Sequence, residues 1–298
     1  MTELGAGGRL RSFRASSHEC KRRDGRDMVE QDGFGDLLAA RAAYTRAGWY
    51  ALQQPLPGAV VDRLCGSVAH ISGQDRPEVV FEDGSRVVRA LHGCHRFDAA
   101  CAALTRLPQF VALAETLLGG PVYVYQFKVN LKQPFEGRAW PWHQDFAFWL
   151  REDGMPTPNA VNIAVFLDEV HTGNGPLTVI PGSHRLGLLD VDTAPRSPGG
   201  RDWRRHVSAD LEYTVAAERV AALAEDLGRY VAVGGRGTCF AFHPSIVHAS
   251  SNNESADRRA ILLITYNAVG NAPSSPTRPA FLVDRDTTPL TADSGFSW

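Results

Sequence analysis

The chain has 298 residues, of which 44% are hydrophobic and 21% are charged, and its formal net charge at pH 7 is −2. This composition predicts one globular domain with a full core, and we expect a monomer or homodimer. The slightly negative net charge and the lack of a basic stripe in the sequence argue against a nucleic-acid partner. No apolar stretch approaches the ~20 residues of a membrane span, and five cysteines without Cys-x-x-Cys spacing predict a reducing, cytoplasmic location.

The first 31 residues are rich in arginine, glycine and serine, and they contain no apolar core of a secretion signal. We expect a disordered tail over residues 1–31, followed by a single domain over residues 32–298. An arginine-rich organellar presequence is the alternative, which the acidic residues Glu3, Glu19, Asp24 and Asp27 weaken.

Helical and hairpin patterns fill the chain from the tail to residue 120. In order, the predicted segments are helix Phe34–Ala47, strand-like Trp49–Gln53, helix Pro57–Ile71, hairpin Val79–Leu91 with its turn at residues 82–85, and helix Phe97–Leu118. The last helix is interrupted near Pro108 and ended by Gly119 and Gly120.

Short apolar runs dominate the remainder of the chain. The predicted strands are Val122–Leu131, Ala160–Leu167, Leu177–Ile180, Tyr230–Val233, Thr238–Phe242 and Ala260–Tyr266. Early helices packed outside later strands predict a mainly β fold with flanking helices and a double-stranded β-helix core of the jelly-roll or cupin type.

A long polar insertion interrupts the strand pattern at about residues 183–228. Because long irregular segments inside compact domains are usually functional or disordered, we predict that it covers the substrate as a lid. The alternative for its arginines, Arg201, Arg204 and Arg205, is a solvated face. Near its end, Ala216–Leu227 has the spacing of a short amphipathic helix.

Three residues have the ligand types of a non-haem iron site. His143 and Asp145 are two positions apart, so both side chains can point to one metal from a strand end or the turn after it. His248, 105 residues later, supplies a second imidazole, and two imidazoles with one carboxylate leave three positions of an octahedral ion open. His-x-Asp alone is a weak signal whose other interpretation is a hydrogen-bonded surface pair. His243 is the rival third ligand.

Arg259 opens the buried strand that follows His248 by eleven residues. A hairpin return would place its guanidinium near the metal, where its planar fork can bind a carboxylate through two hydrogen bonds. A 2-oxoglutarate molecule that chelates iron through its keto acid end needs such a partner for its far carboxylate. Arg258, on the opposite face, is expected to be exposed.

The stretch from Val122 to Asn267 resembles the phytanoyl-CoA hydroxylase family of Fe(II)/2-oxoglutarate dioxygenases, and within it most closely the bacterial ectoine hydroxylases. The motifs that carry the resemblance are QFKVNLK, WPWHQDFAFW, EDGMP, NIAVFLDEV, NGPLTVIPGSHR and HASSNN, followed by Arg259. The resemblance is specific because these motifs occur in the family's order and with its gaps.

The resemblance implies roles for ten residues. Iron would bind His143, Asp145 and His248; 2-oxoglutarate would bind Arg259, Ser250, Asn130 and Trp140; substrate would bind Gln126, Trp149 and Asn267. The chain departs from the family where Trp140 stands for the usual Phe, Gln144 for Ser and Phe148 for Thr. These departures put the substrate in doubt.

The implied activity is hydroxylation of a C–H bond with Fe(II), 2-oxoglutarate and dioxygen, giving succinate and carbon dioxide. Asp145 favours hydroxylation over halogenation, because halogenating relatives lack the ligand carboxylate. The matches at the substrate positions favour a small polar molecule, such as an amino acid, ectoine or a natural-product intermediate. Desaturation, epoxidation or cyclisation, a non-catalytic sensor or scaffold, and zinc-dependent hydrolysis remain as alternatives.

Overall fold

The structure is a computed structural model that describes residues 36–189, 191–193 and 203–298, called below the described part of the chain. It begins with helices and continues with strands, as the sequence predicts. The predicted tail over residues 1–31 lies outside the described part. In the described part, no helix has both the length and the hydropathy that crossing a membrane requires.

The described part contains six α-helices and thirteen strands. The helices are α1 Leu37–Ala47, α2 Gly58–Ser72, α3 Ala99–Thr105, α4 Pro108–Leu118, α5 Asp145–Asp153 and α6 Ala217–Leu227. The strands are β1 Trp49–Ala51, β2 Val79–Phe81, β3 Val88–His92, β4 Val122–Lys132, β5 Trp140–His143, β6 Ala160–Phe166, β7 Leu177–Val179, β8 Val191–Thr193, β9 Tyr213–Val215, β10 Tyr230–Ala232, β11 Cys239–Phe242, β12 His248–Ser250 and β13 Arg259–Ala268.

Two antiparallel sheets form the body of the fold. The large sheet has the order β1-β11-β6-β13-β4-β3-β2, and the small sheet has the order β10-β7-β12-β5, while β8 and β9 pair separately. The long strands β13 and β4 pair from Arg259 opposite Lys132 to Ala268 opposite Val122. This architecture matches the predicted double-stranded β-helix core with flanking helices.

Strand β4 divides the core from a cavity. Phe127, Val129 and Leu131 belong to the hydrophobic core that joins the large sheet to helices α1–α4. The intervening side chains point to the opposite face because successive strand residues alternate. Polar residues on that face of β4 therefore line the space between the two sheets.

Local sequence signals explain the helix ends. Asp36 caps α1 by accepting hydrogen bonds from the backbone N–H groups of Leu38 and Ala39. The predicted interruption near Pro108 separates α3 from α4, and Pro108 occupies the first turn of α4, where its missing N–H costs nothing. Gly119 then ends α4 in a left-handed conformation (φ 79°).

Two features differ from the predictions. The aromatic run after His143 forms helix α5, which the sequence analysis did not assign. The predicted hairpin return from His248 to Arg259 is wrong, because β12 lies in the small sheet and β13 in the large one. Arg259 therefore approaches the cavity from the opposite sheet to His248.

The predicted insertion is ordered where it is described. It contains a 3₁₀ turn at Trp203–His206, then β9 and α6, and buried Val207 and Leu211 lie between these elements. Among the insertion's predicted arginines, Arg201 lies outside the described part. The second half of the segment predicted to be a lid thus contains buried apolar residues.

Candidate metal centre and the adjoining cavity

His143, Asp145 and His248 lie together at the end of the small sheet. His143 is the last residue of β5 and sits directly opposite His248 of β12, and Asp145 is the first residue of α5. All three side chains are buried, and one ligand atom from each lies within 4.8 Å of the other two. His143 Nε2 is 3.6 Å from Asp145 Oδ1, and His248 Nε2 is 3.9 Å from Asp145 Oδ2.

Both imidazoles are oriented by a backbone carbonyl two residues earlier in the chain. His143 Nδ1 donates to Pro141 O at 2.6 Å, and His248 Nδ1 donates to Ile246 O at 2.9 Å. A carbonyl oxygen only accepts, so in each ring Nδ1 carries the hydrogen and Nε2 presents a lone pair to the centre. Burial, then the neighbouring His143, lowers the pKa of His248 to about 3, which keeps its ring neutral and able to bind a metal.

The Asp145 carboxylate is held from behind by the large sheet. Asn162 Nδ2 donates to Asp145 Oδ2 at 2.8 Å, and Thr265 Oγ1 fixes that amide by donating to Asn162 Oδ1 at 2.6 Å. Burial by itself would raise the pKa of Asp145, but Lys128, His143 and His248 outweigh it and hold the pKa far below its usual range. The carboxylate is therefore ionised, as a metal ligand must be.

Gln144, between the two ligands, anchors the motif to the surrounding loops. Its amide nitrogen donates to Gly187 O and Ser245 O, and its amide oxygen accepts from the backbone N–H of Leu189. These bonds tie the metal motif to the start of the insertion. Gln144 thus has a structural role at a position where the sequence departs from the family.

His243 is not part of the centre. Its ring packs against Tyr44 and His184, with ring centroids 5.6 Å and 5.0 Å away, and its Nδ1 accepts from the backbone N–H of Ser245. The group of possible metal ligands in the described part consists of His143, Asp145 and His248. The structure thus brings together the predicted triad rather than the rival ligand.

Arg259 lies at one end of the cavity that contains the triad. Its side chain is buried, Nε donates to Gly175 O at 3.0 Å, and Nη1 reaches Asn130 O at 3.4 Å. No carboxylate pairs with it in the described part. Burial, then the charge of Arg89, lowers the pKa of Arg259 to about 9, so it is still protonated at neutral pH. A buried cation with only carbonyl partners favours binding of an anion.

Three other residues at this end of the cavity carry unsatisfied polar atoms. Within the described part, Asn130 Oδ1, Trp140 Nε1 and Ser250 Oγ are buried without a hydrogen-bond partner, and all three residues line the cavity. Unpartnered buried polar atoms are costly, and a bound ligand is one way to satisfy them. Trp140 Nε1 and Ser250 Oγ can donate to a carboxylate beside Arg259, whereas Asn130 Oδ1 only accepts and needs a donor group.

The predicted substrate residues separate into two groups. Gln126 and Trp149 line the cavity. Asn267 is not among the lining residues: its amide nitrogen donates to Tyr123 Oη and Asn271 O, both at 2.9 Å. Those bonds give Asn267 a role in holding β13 to the following turn.

Several cavity residues were missed by the sequence analysis. They are His92 of β3, Lys128 of β4, His206 and Leu211 of the insertion, and Arg278 near the C-terminus. Lys128 could have been found, because strand alternation puts it on the same face as Gln126 and Asn130. It lies 3.6 Å from Asp145 Oδ1. The other residues come from distant segments, and no local pattern links them to the motif.

The donor set fits a divalent iron ion. Two neutral imidazoles and one carboxylate on one side of a centre are the ligands of non-haem Fe(II) oxygenases, and the open side here faces the cavity. Each ligand also has the outer hydrogen bond that fixes its orientation. The arrangement can hold a metal, a chelating co-substrate and a small molecule side by side.

Comparison with known proteins supports this interpretation. The sequence profile of the phytanoyl-CoA dioxygenase family matches residues 44–261. The chain is 58% identical to the L-proline trans-4-hydroxylase of Streptomyces griseoviridis over 85% of this chain and 95% of that protein. It is 33% identical to the ectoine dioxygenase of Nocardia farcinica over 78% of this chain and 77% of that protein.

Solved structures agree with the fold. The crystal structure of EctD from S. alaskensis with 2-oxoglutarate and 5-hydroxyectoine is 30% identical, covers 82% of both chains and superposes with a TM-score of 0.70. The crystal structure of the same enzyme with bound Fe covers 85% of both chains with a TM-score of 0.71. The predicted fold class is confirmed.

Proposed function

We propose that this chain, which belongs to the phytanoyl-CoA dioxygenase family, hydroxylates free L-proline at C4 with Fe(II), 2-oxoglutarate and dioxygen. It is a dioxygenase that acts on a small polar molecule. The observation that carries the proposal is that one cavity is lined by a His-Asp-His centre and by the buried Arg259, which pairs with no carboxylate of the described residues. This combination suits a metal and a dicarboxylic co-substrate bound together.

The roles of the residues follow from their positions. His143, Asp145 and His248 would hold Fe(II), Arg259 would bind the far carboxylate of 2-oxoglutarate, and Asn130, Trp140 and Ser250 would line its site. When bound, iron and 2-oxoglutarate supply the oxidant for the overall reaction, in which substrate, 2-oxoglutarate and dioxygen give the hydroxylated product, succinate and carbon dioxide.

The protein itself supplies orientation and exclusion of water. Asn162 and the two backbone carbonyls fix the ligands, so the open side of the metal keeps facing the cavity. Val207 and Leu211 close the cavity from the insertion, in support of the predicted lid over residues 183–228. An enclosed site limits loss of the oxidising equivalent to solvent.

L-proline is favoured over ectoine by the degree of similarity. Identity to the L-proline trans-4-hydroxylase is 58%, against 33% for the ectoine dioxygenase of N. farcinica. The cavity also suits an amino acid, because its lining includes three cationic residues, Lys128, Arg259 and Arg278, and one carboxylate, Asp145. We propose that Gln126 and Trp149 contact the substrate.

The test is a hydroxylation assay with purified protein, Fe(II), 2-oxoglutarate and ascorbate. L-proline is expected to give trans-4-hydroxy-L-proline and succinate in equal amounts, identified by chiral chromatography and mass spectrometry, and ectoine is assayed alongside. His143→Ala should abolish product, whereas His171→Ala, which alters a partly exposed turn histidine, should not. Product from ectoine but not from L-proline would refute the substrate assignment.

A second readout separates the substrate from the chemistry. Anaerobic Fe(II) and 2-oxoglutarate should produce a metal-to-ligand charge-transfer band without any substrate. Absence of that band would refute the oxygenase assignment, and its presence without proline turnover would refute only the substrate. A monomeric or homodimeric state, a cytoplasmic location and the lack of nucleic-acid and membrane partners remain predictions.

A further inference from the structure

His92 is a buried histidine whose role the proposed chemistry does not explain. It is the last residue of β3, lies directly opposite Lys128 of β4, and is 4% exposed. It lines the cavity, and within the described part its Nε2 has no hydrogen-bond partner. Because buried nitrogens are usually hydrogen-bonded, a ligand group in the cavity beside His92 is one way to satisfy Nε2.

The charges around His92 indicate the sign of that group. Burial, then the positive charges of Lys128 and Arg278, lowers the pKa of His92 to about 3, so its ring is neutral at physiological pH. Lys128 Nζ lies 3.6 Å from Asp145 Oδ1. Arg278 pairs with Asp153, which does not line the cavity, and Arg278 Nε lies 3.1 Å from Asp153 Oδ2. The positive charges of Lys128 and Arg278 therefore favour a ligand carboxylate beside His92.

The position of His92 separates this group from the far carboxylate of 2-oxoglutarate. Along β4, His92 pairs with Lys128, whereas Arg259 of β13 pairs with Lys132. Four residues of strand span about 13 Å. His92 therefore lies well along the sheet from Arg259, on the side of the cavity where Gln126 is found.

We propose that His92 is a specificity-determining residue that donates its Nε2–H to the carboxylate of the amino-acid substrate. This inference rests on the proposed function and deepens it, because it names the substrate group that is recognised and the residue that recognises it. It selects a free amino acid over an amine or a ring without a carboxylate. In the positive surroundings of His92, the tautomer that carries hydrogen on Nε2 satisfies both the imidazole and the carboxylate.

The test compares two variants with two ligands. His92→Leu removes the donor, and His92→Gln keeps an N–H near the position of Nε2. Binding of L-proline to the anaerobic enzyme with Fe(II) and 2-oxoglutarate is measured by calorimetry, and pyrrolidine, which lacks the carboxylate, is measured as a competitive inhibitor of hydroxylation. Loss of a hydrogen bond to a charged group predicts a roughly 10- to 100-fold weaker Kd for L-proline in His92→Leu.

The expected pattern distinguishes recognition from packing. His92→Gln should recover most of the L-proline affinity. In both variants the inhibition constant for pyrrolidine should stay within about twofold of its value in the unmutated protein, and the 2-oxoglutarate concentration that half-saturates the charge-transfer band should not change. Equal losses for L-proline and pyrrolidine, unchanged L-proline binding in His92→Leu, or weakened 2-oxoglutarate binding would each overturn the proposal. Failure of the unmutated protein to bind L-proline would overturn the proposed function as well, whereas the preceding outcomes leave it intact.

Discussion

The sharpest prediction concerns Arg259, the buried cation expected to bind 2-oxoglutarate. Arg259 is 2% exposed, and within the described part its guanidinium donates hydrogen bonds to the carbonyl oxygens of Gly175 and Asn130. Arg259→Lys keeps a positive charge but loses the planar fork, and so at least one charge-assisted hydrogen bond. At about 1.5–3 kcal/mol for such a bond, the Kd for 2-oxoglutarate should rise roughly 10- to 150-fold. Arg259→Met also removes the charge and should weaken binding further.

The assay is anaerobic titration of Fe(II)-loaded protein with 2-oxoglutarate, followed by the charge-transfer absorption. Arg258→Met is the matched control, because Arg258 is the adjacent residue and pairs with Asp168 at 2.8 Å rather than lining the cavity. It should bind 2-oxoglutarate as the unmutated protein does. Equal affinities in all the proteins, or an equal loss in Arg258→Met, would refute the assignment of Arg259.

Three further predictions test the supports of the site. The buried Arg89 donates to Val207 O at 2.9 Å and to Ala139 O at 3.0 Å, and its guanidinium carbon lies 4.0 Å from the centre of the Trp140 ring. If these contacts help to close the cavity, Arg89→Met should raise the ratio of succinate to hydroxylated product above one. An unchanged ratio would show that Arg89 has no role in closing the cavity. Asn162→Ala should weaken Fe(II) binding about 10- to 100-fold in a metal titration, because it frees the Asp145 carboxylate to rotate. The pKa of His243, lowered to about 3 by burial and then by His184, predicts a pH-dependent stability: the unfolded chain takes up a proton near pH 6.5 that the folded chain refuses until about pH 3. In urea unfolding of the metal-free protein, the free energy of unfolding should therefore fall as the pH is lowered from about 6.5 to about 3. His243→Phe should reduce that slope by up to about 1.4 kcal/mol per pH unit.

The sequence could predict the His143–Asp145 pair of the metal centre because that pair has a local cause. His143 ends a strand and Asp145 follows two residues later, so their convergence needs no long-range information. The face of β4 was also accessible, since Gln126, Lys128 and Asn130 alternate with core residues. The family resemblance implies no role for Lys128, so the strand alternation is the signal that places it on this face.

Other parts of the site depend on contacts between distant segments. Strand β12 has three residues, too few to show a periodicity, and it pairs with β5 and β7 rather than with the nearby β13. The predicted hairpin return was therefore wrong, although Arg259 still faces the cavity. Helix α5 was missed because its aromatic residues are buried on most sides, which hides the 3.6-residue period.

The distribution of charge along the cavity bears on the proposed hydroxylation at C4 of L-proline. Arg259 at one end would bind the co-substrate's far carboxylate, and the proposed substrate carboxylate lies beside His92, several residues away along the large sheet. In L-proline the carboxylate is on C2, and C4 and C5 are the two ring carbons farthest from it. A carboxylate bound at His92 would therefore leave the C4–C5 edge as the part of the ring farthest from His92. Because C5 adjoins the cationic nitrogen, whose charge disfavours removal of a hydrogen atom there by an electrophilic oxidant, C4 is the carbon of that edge at which we expect the proposed hydroxylation.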